Sequence, residues 1–530
     1  MEIPVNLFLW IVAFLPILVL FVTIVILGWS ASRSAITGML TAAAAAFLAY
    51  RMEAAGLVSE SVKGVWNALS ILLVIWPAIF IYEVTDVAKG FTAIQRGIRA
   101  LTRHELLQIM ILGWIFPDFL QGITGFGVAV AVGAPLLVSI GVKPFWSVVF
   151  VLLSYSWGAT FGTLAIAWDA LIAQTGLAGS EAAAAAVIAA VCIGCFIFVA
   201  AFALCFFYGK GKAVKEGLPM VLVLAGIQAT GQLLLAPVNA TVSCFVPTTI
   251  ALVVAVGFTR VGRFSREWKI ADSPIMDRTT QSEEESMKLT FHQGFLPYYV
   301  LTGITILCLL VPPVHNVLSQ WKIGFAFQEV TTGFGYVTAA EQCFSPMSPL
   351  VYAGTILAEA CLVSVLYYGK KGCLGGERLK KAASNTVKKA IPSTIAIIGF
   401  TVMARLMTSS GQIYVLSSGI VRVMGKSYVI VAPLVGSIGT FMTSSNMSSN
   451  ILFAKFQMTA ADLLSLPPSV TLALQTIGGA IAAAMAPGSI ILGMSTTGIK
   501  GVEGKILRTV MPISIGCGVV FGLLSFIFLT

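Results

Sequence analysis

The chain has 530 residues, of which 58% are hydrophobic and only 10% charged, with a mean hydropathy of +0.95. That balance excludes a soluble globular or disordered protein and predicts a polytopic membrane protein. The net charge of +10 does not signal nucleic acid, because the basic residues sit in short loops between apolar runs, as in loops held on the cytoplasmic side.

In chain order, runs long enough to cross a hydrocarbon core of roughly 30 Å are expected at 6–28, 34–50, 65–88, 105–120, 145–167, 185–207, 217–236, 242–259, 295–313, 349–368, 390–409, 428–440, 469–495 and 508–529, some of them broken or re-entrant. The first run carries Glu2 and no basic leader, so it reads as a retained helix and not a cleaved signal peptide. Five basic loops are placed in the cytoplasm: Lys89, Arg96, Arg99 and Arg103; Lys210, Lys212 and Lys215; Arg260, Arg263, Arg266 and Lys269; Lys370, Lys371, Arg378, Lys380 and Lys381; and Lys500, Lys505 and Arg508. The turns at 169–181, 237–241 and 315–346 are placed outside, which puts both chain ends outside with twelve crossings. A membrane half at 1–259 is separated from another at 295–530 by a polar cytoplasmic linker at 260–294, which contains SEEES at 282–286.

The nine cysteines are scattered, and Cys192 and Cys195 have neither a second pair nor a nearby histidine. His104, His292 and His315 are too dispersed for a zinc or catalytic set, and neither a nucleophile elbow nor a Walker-type phosphate loop is present. An enzyme and an ATP-driven pump are therefore disfavoured, and no cofactor or metal is expected.

One stretch breaks the apolar pattern. PDFLQGITGFGVAVAVGAP at 117–135 carries four glycines, two prolines and the polar Asp118, Gln121 and Thr124. Backbone loosened at membrane depth must bond inside the protein or face a cavity, and broken helices commonly form a transporter's site. Close packing through small residues is the competing explanation. At an offset of 322, DFLQGITGFG falls opposite TFMTSSNMSSN, and SYSWGATFGT at 154–163 falls opposite TIGGAIAAAM at 476–485. Loop charges give the paired runs 65–88 and 390–409 opposite directions. The expected fold is thus all-α, with two inverted-topology repeats at about 62–185 and 385–507, about twelve transmembrane helices and two hairpins.

Ionisable groups at membrane depth are functional candidates by default: Glu83, Asp86, Asp118, Lys143, Asp169, Glu359, Arg405 and Lys455. Arg405 could grip a substrate carboxylate or a buried acid, or snorkel to headgroups. Asp118 could carry a proton or cap a helix. The dense polar cluster Thr443, Ser444, Ser445, Asn446, Ser448, Ser449 and Asn450 suits a cavity that binds a carboxylate or a cation, with interhelical hydrogen bonding as the competing explanation.

At FLQGITGFGVAVAVGAPLLVSIGVKP, SSNMSSNILFAKFQ and TIGGAIAAAMAPGSI the chain resembles the lactate permease family, bacterial carriers of lactate and glycolate within the ion-transporter superfamily. The resemblance implies a re-entrant hairpin in each repeat and proton-coupled carriage. Three positions depart from the family pattern: Gln121 and Asn446 replace acids, and Ala483 replaces a lysine. An amide keeps an acid's hydrogen-bonding shape but cannot cycle a proton. The chain is therefore expected to be a secondary transporter in a bacterial or archaeal cytoplasmic membrane. Its substrate would be a small organic anion, lactate or a related 2-hydroxymonocarboxylate, carried by proton symport. Gln121, Gly122, Thr124, Gly125, Ser445, Asn446, Ser448, Ser449, Asn450 and Arg405 would bind substrate, and Asp118 would couple the proton. A sodium-coupled carrier or an exporter of another anion is the alternative; a channel is disfavoured by the repeat.

Overall fold

The computed structural model describes residues 3–125, 127–277 and 289–529 and is mostly helical. Glu2 and the SEEES run at 282–286 lie outside the described residues, as does the side chain of Arg99. The first half comprises α1 (Leu7–Phe21), α2 (Ala31–Leu48), α3 (Ala54–Val87), α4 (Gly90–Leu101), α5 (Glu105–Met110), α6 (Phe116–Ile123), α7 (Val128–Ser139), α8 (Pro144–Ser156), α9 (Gly162–Thr175), α10 (Gly179–Leu235), α11 (Ala240–Ser243) and α12 (Phe245–Phe258). The second comprises α13 (Phe291–Gly294), α14 (Leu296–Thr305), α15 (Pro312–Leu318), α16 (Ala353–Lys370), α17 (Gly376–Ser409), α18 (Gln412–Met424), α19 (Tyr428–Thr443), α20 (Asn446–Leu463), α21 (Pro468–Ala482), α22 (Pro487–Thr497) and α23 (Glu503–Leu529). Among the described residues nine helical runs are long and apolar enough to cross a bilayer, or eleven when two bent pairs each count as one. α10 leaves helical geometry at Gly209 and Lys210. Its two arms pack together where small residues permit close approach: a Cβ on Gly194 would stand 3.1 Å from Ala229.

The basic loops share one face. His104 pairs with Trp268 across a short bridge, the Lys143 amide donates to the Ile275 carbonyl at 2.8 Å, and Ser273 bonds the Tyr208 carbonyl at 2.6 Å. The described part of the expected linker is therefore docked against helix ends, with Phe264 and Ile275 buried. The opposite face holds an element not foreseen. Between α15 and α16, β1 (Ile323–Phe327) pairs with β4 (Glu341–Met347), enclosing a smaller ladder of β2 (Val330–Thr331) and β3 (Val337–Thr338). Gly333 N donates to the Arg51 carbonyl at 2.8 Å and Trp66 Nε1 to the Ser345 carbonyl at 3.2 Å, fastening these strands over the start of α3.

Element lengths repeat along the chain. α2 and α16 each have 18 residues and α3 and α17 each have 34, and in both pairs the second helix starts 322 residues after the first. The packing repeats with the halves exchanged. α2 lies on α17 as α16 lies on α3, and α7 lies on α22 as α20 lies on α9. α3 and α17 begin at Ala54 and Gly376, well before the expected 65 and 390, because Glu60, Lys63 and Lys389 lower the local hydropathy yet find partners in the fold.

Candidate substrate site

Each half contains two helix interruptions. α6 stops at Ile123 and α7 starts after Gly125 and Gly127, which take φ +59° and +79°, open to glycine without a Cβ penalty. α8 gives way at Trp157–Ala159 to α9, whose Thr163, Leu164 and Ala165 are left-handed. In the second half α19 stops at Thr443, Ser444 is left-handed, and the Ser445 side chain caps α20 by accepting from Ser448 N at 3.2 Å. α21 gives way at Ala483–Met485 to α22.

A cavity of about 360 Å³ lies between these four interruptions, walled also by Ser30, Ser32, Ser393 and Phe400. No acidic or basic residue lines it among the described residues. Four helices begin at its wall: Gly127 caps α7, the right-handed part of α9 begins at Ile166, Asn446 opens α20, and Gly488 lies in the first turn of α22. Helix starts carry partial positive charge, here with some amides capped by hydroxyl groups (Ser448 N by Ser445, Gly488 N by Ser444), so an uncharged pocket made of them favours an anion. Hydroxyl groups add directional contacts. Tyr155 Oη lies 2.7 Å from Ser489 Oγ, and Gly488 N donates to Ser444 Oγ at 3.0 Å, tying the second break to α22.

Of the expected site residues, Gln121, Ser445, Asn446 and Ser448 line this cavity. Gly122, Thr124, Gly125, Ser449 and Asn450 do not. Gly122 packs toward Phe245, Thr124 Oγ1 donates to the Leu120 carbonyl at 2.8 Å, and Gly125 lies against Thr163. Ser449 donates to the Gly436 carbonyl at 2.8 Å, and Asn450 to the Ala167 carbonyl at 2.9 Å. These five build the breaks and do not face the space. Asp118 lies outside the lining too. α5 and α6 join through a π turn, so it is not a helix cap at a chain entry; its Oδ2 accepts from Trp157 Nε1 and Gln228 Nε2, both at 3.0 Å. It shares α6 with Gln121, three residues on and hence on the same helix face.

Arg405 is corrected as a substrate ligand. It lies away from the cavity, and its charge is already met by buried Glu60, with Nη2 at 2.5 Å and Nε at 3.1 Å from Oε2. Ser409 donates to the same oxygen at 2.6 Å, and Lys63 Nζ stands 2.9 Å from Oε1. The Lys63 ammonium also faces the rings of Phe327 and Phe344, and the Arg405 guanidinium faces Phe344, so the external strands cover this cluster. Glu83 accepts from Asn385 at 2.9 Å and Lys389 at 2.5 Å, and Lys143 Nζ donates to the Pro274 carbonyl at 2.8 Å; neither lines the cavity, nor do Asp86, Asp169, Glu359 and Lys455. Sequence reasoning missed Tyr155 and Ser489, although both lie in quoted Gly/Ala/Ser stretches, and it missed Glu60 because the span was begun too late.

This site belongs to a chain whose relatives are permeases. An L-lactate permease from Halalkalibacterium halodurans is 26% identical over 535 residues, covering 97% of this chain and 95% of that protein. One from Escherichia coli K12 is 24% identical, covering 94% and 91%, and glycolate permease GlcA of the same organism is 22% identical, covering 97% and 94%. Among solved structures, the Alcanivorax borkumensis YdaH transporter aligns over 89% of each chain at 13% identity and a TM-score of 0.44. The L-lactate permease family pattern itself matches residues 10–530, nearly the whole length, and with breaks, cavity and relatives in agreement the chain belongs to the L-lactate permease family, membrane transporters and not enzymes.

Proposed function

We propose that this protein is a secondary transporter of a small organic monocarboxylate, L-lactate or a related 2-hydroxy acid, working by proton symport across a bacterial or archaeal cytoplasmic membrane. The observation that carries this reading is the convergence of four helix N-termini on an uncharged cavity. Such a pocket holds a single negative charge with backbone dipoles and hydroxyl groups, without the cost of a buried cation. The cavity reaches exposed positions at Ser30 and Pro392. With the basic face in the cytoplasm, this is an inward-facing arrangement, and the repeats are inverted across the membrane. α20 packs on α17 and α18, while their counterparts, α7 with α3 and α4, have no comparable contact among the described residues. Exchanging these contacts between the halves would turn the cavity outward.

With no carboxylate or basic side chain at the cavity wall among the described residues, Asp118, one turn from Gln121, is the proton carrier in this reading. Asp118→Asn is expected to retain L-lactate counterflow in proteoliposomes, which needs no net proton movement, and to lose accumulation driven by an imposed pH gradient. Undiminished gradient-driven accumulation in Asp118→Asn would exclude Asp118 from coupling. A sodium-coupled carrier is the second reading, favoured by the buried side-chain oxygens of Asn446 and Asn450, which have no hydrogen-bond partner among the described residues.

A further inference from the structure

Tyr155, near the end of α8, and Ser489, in the first turn of α22, meet at the cavity wall. The Tyr155 hydroxyl stands 2.7 Å from Ser489 Oγ and 3.1 Å from the Ala483 carbonyl oxygen. A carbonyl only accepts, and a phenol carries one proton. A single arrangement gives each contact its own proton: Tyr155 donates to Ala483, and Ser489 donates to Tyr155. The proton of Ser489 is then committed, and the lone pairs of Oγ are what it offers to the cavity. Reversing the chain leaves the Ala483 carbonyl only Ala486 N at 3.4 Å. Turning Ser489 away leaves two oxygens 2.7 Å apart with no proton between them.

The adjoining wall has the opposite polarity. Ser444 Oγ accepts from Gly488 N at 3.0 Å, and Ser445 Oγ accepts from Ser448 N at 3.2 Å. Both serines line the cavity, and neither hydroxyl proton has an acceptor among the described residues. They offer donors. Gly488 and Ser489 are consecutive, so a donor and an acceptor adjoin on one wall. A 2-hydroxy acid carries the complement, a carboxylate that accepts and, on the next carbon, a hydroxyl that donates. We propose that the Tyr155–Ser489 pair sets specificity at C2 of the substrate: Ser489 Oγ accepts the proton of a 2-hydroxyl, and Tyr155 is the positioning residue that fixes this polarity. A 2-oxo group brings an acceptor to an acceptor, and Ser489 can donate to it only by giving up Tyr155. An acid with no substituent at C2 leaves Ser489 Oγ without its donor. Sites built to bond a substrate hydroxyl reject analogues that lack it. This inference rests on the cavity being the substrate site.

The test is counterflow of labelled L-lactate in proteoliposomes of the full chain, with unlabelled L-lactate, pyruvate or propionate as competitor and each variant checked for folding. In wild type the half-inhibiting concentrations of pyruvate and propionate are expected to lie at least about tenfold above that of L-lactate. Ser489→Ala is expected to lose both preferences. Tyr155→Phe is expected to lose only the preference over pyruvate, because the freed Ser489 proton can be given to a 2-oxo group while Oγ still accepts from a hydroxyl. Ser444→Ala should weaken all three acids alike, since the carboxylate is common to them. A uniform loss in Ser489→Ala and Tyr155→Phe, as a merely structural role would give, overturns the proposal, and so do unchanged ratios in either. Wild type that treats the three acids equally overturns it whether or not the variants fold. Absence of L-lactate counterflow in folded wild type removes the substrate reading and this inference together; counterflow with unselective competition removes this inference alone.

Discussion

At the scale of single residues, the charges with the largest structural consequence are not those at the cavity. Glu60 bridges Arg405 and Lys63 in a buried cluster, and Lys63 also stands 3.8 Å from Glu341. Breaking a buried pair costs about 3–5 kcal/mol because it strands a charge. Glu60→Ala strands Arg405 and leaves Lys63 only the more distant Glu341, and it is expected to lower the unfolding midpoint more than Arg405→Ala, which leaves Glu60 with Lys63. Surviving Arg405→Ala protein is expected to keep the wild-type KM for substrate; a KM raised at least about tenfold would return Arg405 to the site. On the basic face, burial holds His104 below its ordinary 6.5, against the opposing pull of Glu216, which Arg263 also contacts. A histidine kept neutral by folding takes up a proton more readily when unfolded, so this stability is present above pH 6.5 and falls below it. The midpoint should drop as pH falls from about 7.5 to about 5.5, and His104→Asn, which keeps a helix-cap acceptor, should flatten that drop. Gln121 was legible because polar side chains interrupt glycine-rich apolar sequence, and Asn446 because it lies in a dense run of Ser, Thr and Asn. Glu60 was not, because its cost is offset by partners far along the chain.

At the scale of elements, glycines permit close approaches at the first break and where α21 crosses α19. Gly125 combines φ +59° with a Cβ position 1.8 Å from Thr163 Oγ1, and on Gly478 a Cβ would meet the Pro433 carbonyl at 1.8 Å. Alanine at either position is expected to lower folded yield sharply in detergent size-exclusion profiles. Gly226, in α10 with open space around its Cβ position, provides the contrast: Gly226→Ala should be neutral or stabilise by about 0.5–1 kcal/mol. Hydropathy located most spans, and glycine or dense polar content located the breaks. The strands at 323–347 and the early starts of α3 and α17 escaped, since short exposed strands and paired charges leave no apolar run to find.

At the scale of the whole molecule, the 322-residue offset was legible in only a few residues, yet it relates helices of identical length and mirrored packing. Helix length and contact order are kept by geometry, whereas side chains diverge as long as volume and polarity suit each site. Which breaks enclose one cavity could not be read from the chain, because that depends on how the two halves interlock. The central claim is that this cavity binds the transported anion. It is tested most directly by counterflow of labelled L-lactate in proteoliposomes of wild type, Gln121→Ala and Asn446→Ala, each checked for folding. The account predicts saturable counterflow in wild type and loss of at least about tenfold in kcat/KM in both variants. Absence of counterflow in folded wild type, or undiminished counterflow in both variants, would contradict it.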